Sequence, residues 1–406
     1  MLKREAKITL AALCTVPFIM VLGNSMLIPL LPKMKAAMDL TLFQVGLIIT
    51  AFSVPAGLFI PVTGFLSDRY GRKTVMVPAL VVYGLGGLVA GFTALFLPHP
   101  YWWLLGGRVI QGIGAGGTYQ LAMALTGDIF ETQERSKALG LLESSNGLGK
   151  VVSPIAGSAA GLIAWFAPFF IYGVLAIPIA LLVFLLAREP RKNRRTKTLN
   201  QYFKTLRDIS SQKALPLLAA FFSGMVVLFT LFGVLSLFAD FLEQDYQITG
   251  FSAGLFIALP VLVMAITSYL AGVYLQKRLA RLSKAAVAGG LALMAIALGT
   301  LPFLKTLYPF LVGVMVVGLG TGTTLPALNT LITSAASSDQ RGLVTALYGT
   351  VRFFGVAIGP PAFGWALAYG RSPVFFGAAA LSALGALLAL TLLREEVMLP
   401  ENLLKT

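Results

Sequence analysis

The chain has 406 residues, 57% of them hydrophobic and 12% charged. Soluble globular domains carry roughly a quarter charged residues, so a water-soluble enzyme is excluded at the outset. The formal net charge is +15, from 31 basic and 16 acidic residues; it fits either nucleic-acid binding or basic cytoplasmic loops of a membrane protein, and the positions of the charges must decide.

At about 20 apolar residues per crossing, the apolar content supplies about a dozen membrane helices. Hydrophobic runs bounded by charged or Pro/Gly clusters predict twelve spans, at 8–31, 43–67, 74–96, 101–126, 136–162, 164–187, 214–241, 249–275, 285–303, 307–335, 341–369 and 373–393. The first run follows Lys3 and Arg4 and continues to about Leu31, too long for a cleavable signal, so it is read as the first transmembrane helix. It holds Cys14, the single cysteine, while His99, the single histidine, stands between Pro98 and Pro100. A disulfide framework, a metal site and histidine-based catalysis are therefore not expected.

The N-terminus, the even-numbered loops and the C-terminus hold 24 basic residues, and the opposite loops hold four: Lys33, Lys35, Lys305 and Arg371. That asymmetry predicts both termini in the cytoplasm and removes the nucleic-acid reading. The acidic residues Asp240, Glu243 and Asp245 fall in an outer loop on this reading. Arg188–Lys213, with its basic run over 191–195, is read as a cytoplasmic linker beside anionic headgroups. It separates an N-terminal six-helix half, 1–187, from a C-terminal half, 214–406.

The halves repeat. Gly112–Thr118 resembles Gly318–Thr324 at an offset of 206 residues, and the same offset relates Arg135 to Arg341, Gly149 to Gly355 and Pro154 to Pro360. Parallel repeats of six spans are a transporter architecture.

Four motifs carry a family resemblance across essentially the whole chain. The loop after span 2 reads Gly64-Phe-Leu-Ser-Asp68-Arg69-Tyr-Gly71-Arg72-Lys73, which closely resembles the cytoplasmic loop signature of the major facilitator superfamily. The resemblance implies a latch of the outward-open state, with Asp128 at the inner end of span 4 closing its network; the bland alternative is a role in stability and topology. The equivalent block of the second half, Gly272–Arg278, is degraded and lacks the aspartate. Span 4 carries Arg108-Val-Ile-Gln111-Gly112, resembling the family pattern whose arginine is linked to proton transfer. Span 5 carries Gly149, Ser153, Pro154 and Gly157, similar to the antiporter pattern with serine in place of one glycine. Leu22–Pro32 resembles the first-helix signature of the twelve-span drug:proton antiporters. Small residues at four-residue spacing also let helices approach closely, and proline permits a bend.

Ionisable groups inside spans are costly and usually functional. The basic ones are Arg108, Lys150 and Arg352, and Glu143 is the only carboxylate deep within a span on this reading. Glu143 and Lys150 are seven residues apart, about two full turns, so they share one face of span 5, and Pro154 joins it. Gly149, Ser153 and Gly157 point away, toward a neighbouring helix. At about 1.5 Å per residue, Glu143 lies about 10 Å from the cytoplasmic end, Lys150 about 21 Å, Arg352 about 16 Å and Arg108 about 27 Å. Tyr119 and Gln120 lie near the depth of Glu143. A carboxylate in low dielectric exchanges a proton more readily, which makes Glu143 the candidate proton carrier, with Arg108 and Lys150 modulating it or holding substrate. A static Glu143–Lys150 pair is the alternative. Asn24, Gln111, Asn146, Asn329 and Tyr348 complete a candidate cavity as neutral hydrogen-bonding groups or as interhelical contacts. Three interior cations against one anion favour an anionic, zwitterionic or amphiphilic substrate over a simple cation.

The expected protein is an all-α, twelve-helix membrane transporter of the inner (cytoplasmic) membrane. It would act as a monomer, exporting a small amphiphilic or drug-like molecule against protons by alternating access, surrounded by membrane lipids and without nucleic acid. No cofactor is expected beyond the proton, since no phosphate-binding loop of the Gly-x-x-x-x-Gly-Lys type is present. A lipid or glycolipid flippase and an organic-anion proton symporter are the alternatives on the same fold. A membrane enzyme or sensor is disfavoured by the lack of a catalytic constellation.

Overall fold

The structure, a computed structural model, describes residues 4–130, 132–190, 199–277, 279–335 and 341–399. Among the described residues every regular element is helical. In chain order they are α1 (Arg4–Ser25), α2 (Leu31–Ala37), α3 (Leu42–Tyr70), α4 (Arg72–Phe96), α5 (Tyr101–Ala115), α6 (Tyr119–Ile129), α7 (Thr132–Ala160), α8 (Ala167–Leu186), α9 (Leu199–Gln244), α10 (Gly250–Lys277), α11 (Leu279–Thr300), α12 (Leu307–Ala335), α13 (Arg341–Ala366), α14 (Arg371–Leu392) and α15 (Glu395–Met398). Among these residues ten segments are long and apolar enough to cross a membrane. A bilayer core offers no water to an exposed backbone, and helices satisfy every peptide group internally.

The other two expected spans are those with polar or broken sequence. Span 4 is not one helix: α5 ends at Ala115 and α6 starts at Tyr119. Gly116 and Gly117 allow the break, and hydroxyls cover part of the interrupted ladder. Thr118 Oγ donates to the Ala115 carbonyl at 2.7 Å, and Thr63 Oγ of α3 donates to the Gly116 carbonyl at 2.8 Å. Span 5 is α7, 29 residues long, with Glu143, Ser144, Ser145, Asn146 and Lys150 diluting its apolar character. In α9 the backbone at Lys213 leaves helical geometry, with φ −127° and ψ 16°, so a helix over 199–212 precedes the predicted span. The basic run 191–195 lies outside the described residues, as does part of the degraded second-half block.

One expectation is corrected here. Asp240 and Glu243 do not lie in a loop: α9 runs to Gln244, and Asp240 is only 5% exposed. Apolar neighbours pull this turn into the core, with Phe238 and Phe241 both against Phe310 at ring separations of 5.8 Å. Only Asp245 falls beyond the helix, where it pairs with Arg371 at 2.5 Å.

The chain forms two compact units. One comprises residues 1–40, 47–197 and 248–255, and the other 41–46, 198–247 and 256–406. In the first, α4 packs on α5 and α8, and α1 packs on α7; in the second, α13 packs on α9, and α11 on α12 and α14.

The repeated glycines set these contacts. A Cβ at Gly112 would overlap the carbonyl oxygen of Phe52 on α3, and one at Gly318 would overlap that of Pro260 on α10. Four residues on, Gly116 meets the Ala56 carbonyl and Gly322 the Met264 carbonyl. Likewise Gly149 lies against the Phe18 carbonyl of α1 and Gly157 against that of Met26 just beyond its end, and Gly355 and Gly359 against those of Met225 and Phe229 on α9. The offset seen in the sequence is therefore a pair of equivalent helix–helix seams, built where only hydrogen lets two backbones touch.

Candidate functional site

The interior charges occupy three different environments. Arg108, on α5, is 0% exposed and held on every side. Its Nε donates to the Ile48 carbonyl at 3.1 Å, and its Nη1 to the Gly23 carbonyl at 2.7 Å and to Gln111 Oε1 at 2.6 Å. Its Nη2 donates to Asn24 Oδ1, while Asn24 Nδ2 donates to Ser53 Oγ at 2.9 Å. The guanidinium lies 4.5 Å from the centre of the Phe52 ring, a cation–π contact that adds to the neutral acceptors. Tyr83 and Tyr172 are also fully buried, with Tyr83 donating to the Ile19 carbonyl at 2.8 Å. Asn24, Arg108 and Gln111 thus come together as a sealed node joining α1, α3 and α5. They do not line an open wall.

Glu143 and Tyr119 form the second environment. Tyr119, the first residue of α6, donates its hydroxyl to Glu143 Oε2, so the break in span 4 places this phenol on α7. Glu143 is exposed, Lys150 half-buried and Pro154 buried; the stripe predicted for α7 is uncovered by protein at its Glu143 end and covered toward Pro154. Glu143 is therefore not a carboxylate enclosed by protein. Among the described residues Asp240 is the one acid that is buried. Gln120 is half-buried, and Asn146 is buried. Ser153 is buried and donates to the Gly149 carbonyl of its own helix at 2.5 Å.

Arg352 on α13 is the third. It is half-buried and reaches Asn329 Oδ1 of α12 at 3.5 Å, the outer limit of a hydrogen bond. Its Cζ lies 5.4 Å from the centre of the Tyr348 ring, one turn earlier. Arg352 Nε and Tyr348 Oη are buried without a hydrogen-bond partner.

A separate cluster forms at the α3–α4 turn. Asp68 pairs with Arg72 at 2.6 Å, and Arg72 Nε lies 3.5 Å from Asp128 of α6. Arg72 Nη1 also donates to Ser67 Oγ at 2.5 Å. Gly71 adopts φ +111°, a conformation that a side chain resists, and Gly64 has no atom within 4 Å of the place a Cβ would take. Arg69 stacks on Tyr70 at 5.5 Å and Lys73 on Phe184 at 5.3 Å. Helix α4 opens with two cations, Arg72 and Lys73, against its own positive dipole end. Glu189 answers this, accepting from the backbone N–H of Arg72 at 2.8 Å and of Lys73 at 3.1 Å.

Sequence reasoning missed Glu189, Ser67 and the aromatic wall of Phe52, Tyr83 and Tyr172. An acid standing next to a basic linker was a usable signal for Glu189. The tyrosines carried none, because they sit in runs that are apolar throughout.

The profile of the Major Facilitator Superfamily matches residues 13–360 and 281–405. The bacillibactin exporter of Bacillus subtilis (strain 168) is 39% identical over 354 residues, covering 87% of this chain and 88% of that protein. The tetracycline resistance protein, class B, of Escherichia coli is 28% identical over 368 residues, covering 88% and 87%. The crystal structure of a bacterial homolog of the human lysosomal transporter Spinster, inward-facing and unoccupied, superposes with a TM-score of 0.78 at 18% identity, covering 98% of each chain.

Proposed function

We propose that this chain, which belongs to the Major Facilitator Superfamily, exports a small amphiphilic, drug-like molecule in exchange for protons by alternating access. It is a multi-pass membrane transporter and not an enzyme. On this reading it works as a monomer in the inner membrane, with both termini cytoplasmic, no cofactor, and the proton as coupling ion. The bacillibactin exporter and the tetracycline resistance protein, which cover most of its length, favour export.

The observation that carries the coupling is the Tyr119–Glu143 hydrogen bond at the broken helix. An exposed carboxylate on a membrane helix requires water, since lipid cannot solvate it, so Glu143 faces a wet cavity and can exchange protons with it. Tyr119 stands at the start of α6 and Glu143 on α7, so a movement of α6 against α7 would make or break this bond. A joint between α5 and α6 allows such a movement.

The test uses proteoliposomes with an imposed pH gradient and 8-anilinonaphthalene-1-sulfonate as a fluorescent anionic amphiphile. Export coupled to protons dissipates the gradient in the antiport sense. Glu143→Gln is expected to abolish gradient-driven accumulation while downhill equilibration persists; unchanged pH dependence in Glu143→Gln overturns the carrier role. The organic-anion symporter is the second reading, favoured by the interior cations, and it predicts proton movement in the same direction as the substrate.

A further inference from the structure

Arg352 stands apart from the other interior cations. Arg108 spends its donors on four acceptors and an aromatic face. Arg352 has one neutral acceptor at 3.5 Å and a buried Nε–H with nothing to receive it. An arginine nitrogen can only donate, so no rotation or tautomer relieves this one. Tyr348, four residues earlier on the same face of α13, is 4% exposed, and its hydroxyl is likewise buried and unpartnered.

The phenol is held in place rather than left adrift. Phe221 of α9 stacks on the Tyr348 ring at 5.9 Å, and Gly224, one turn on, leaves room that a Cβ would take from the same ring. Two donors one turn apart on α13, one of them charged, are therefore buried without an acceptor, and among the described residues the guanidinium reaches only Asn329 at 3.5 Å. Placing an unpaired guanidinium in a membrane helix is costly, and a bound anion is what would offset it. The planar fork of Arg matches a planar oxyanion two atoms at a time.

We propose that Arg352 and Tyr348 form an anion-reading subsite for a carboxylate carried on an apolar body. The inference rests on the exporter reading above and names its substrate class: an amphiphilic organic acid.

The experiment measures binding of 2-naphthoate and of 2-naphthalenemethanol, matched in shape but differing in charge. Equilibrium dialysis uses the purified full chain in phosphatidylcholine nanodiscs. Wild type is expected to bind the carboxylate about tenfold or more tightly than the alcohol, the range of a charge-assisted hydrogen bond. Arg352→Gln should equalise the two, and Tyr348→Phe should reduce the preference severalfold. The melting temperature of both variants should stay close to wild type, which reports an intact fold.

Equal affinities in wild type, no carboxylate binding, or a preference that survives Arg352→Gln each overturn the proposal. Phosphatidylglycerol nanodiscs provide the second arm. If that lipid alone raises the melting temperature of wild type but not of Arg352→Gln, the subsite belongs to a lipid headgroup and the substrate assignment falls. A charge preference retained in Glu143→Gln while gradient-driven transport is lost, or while wild type never couples to protons, separates this inference from the coupling mechanism.

Discussion

Two arginines of one chain, each inside a membrane segment, can have opposite purposes, and their partners tell which. The Arg108 guanidinium is saturated by neutral acceptors from three helices, and its removal would strand several of them in the core. Arg108→Ala is expected to cost about 3 kcal/mol or more, read as a large drop in melting temperature of the purified protein. Arg352→Gln removes a group with few native bonds, so its melting temperature should stay close to wild type. A reversed order of the two variants would mean that Arg352 is the structural residue. Asp240 is a further contrast, buried where Glu143 is exposed. Charge alone assigned it to a loop, because residue counting cannot see that Phe238 and Phe241 draw its helical turn inward.

Helices here are joined by the absence of side chains. The seams at Gly112, Gly318, Gly157 and Gly355 bring backbone against backbone, so even one methyl group forces the helices apart. Gly318→Ala is expected to destabilise by about 1–3 kcal/mol, measured by thermal unfolding in detergent. Gly64→Ala, with empty space around it, should be neutral or stabilise by up to about 1 kcal/mol through helix propensity. Most helix bounds were legible from hydropathy: 307–335 is Leu307–Ala335, and 373–393 is Arg371–Leu392. The break at Gly116 was not. The repeated block Gly318–Thr324 has nearly the same composition yet stays helical, with Thr321 and Thr324 bonding back to the Val317 and Gly320 carbonyls at 2.9 and 2.8 Å. What differs is Thr63 of the neighbouring helix, a tertiary partner that no local pattern reveals. The faces of the charged spans were only half legible, since helices apolar on all sides carry little periodic signal for what is inside. This is why Asn24 and Gln111 stayed open between a cavity wall and an interhelical contact in the sequence, and in the structure they lie in a sealed node.

The duplicated plan of the molecule was visible as a constant offset, and the structure turns that offset into equivalent seams in two units. Orientation in the bilayer is an expectation of the charge distribution and has a direct test. With Cys14 replaced by alanine, His99→Cys should react with a membrane-impermeant maleimide from outside intact cells, and Lys137→Cys only after permeabilisation. The opposite pattern would invert the topology. A last consequence concerns Glu189, whose carboxylate grips the first two amides of α4 just after α8 ends. Mechanically it is an anchor point: the chain leaving the first unit toward the second starts from a fixed post rather than from a free end. Tension reaching Glu189 would be delivered to Arg72, and through it to Asp68 and Asp128.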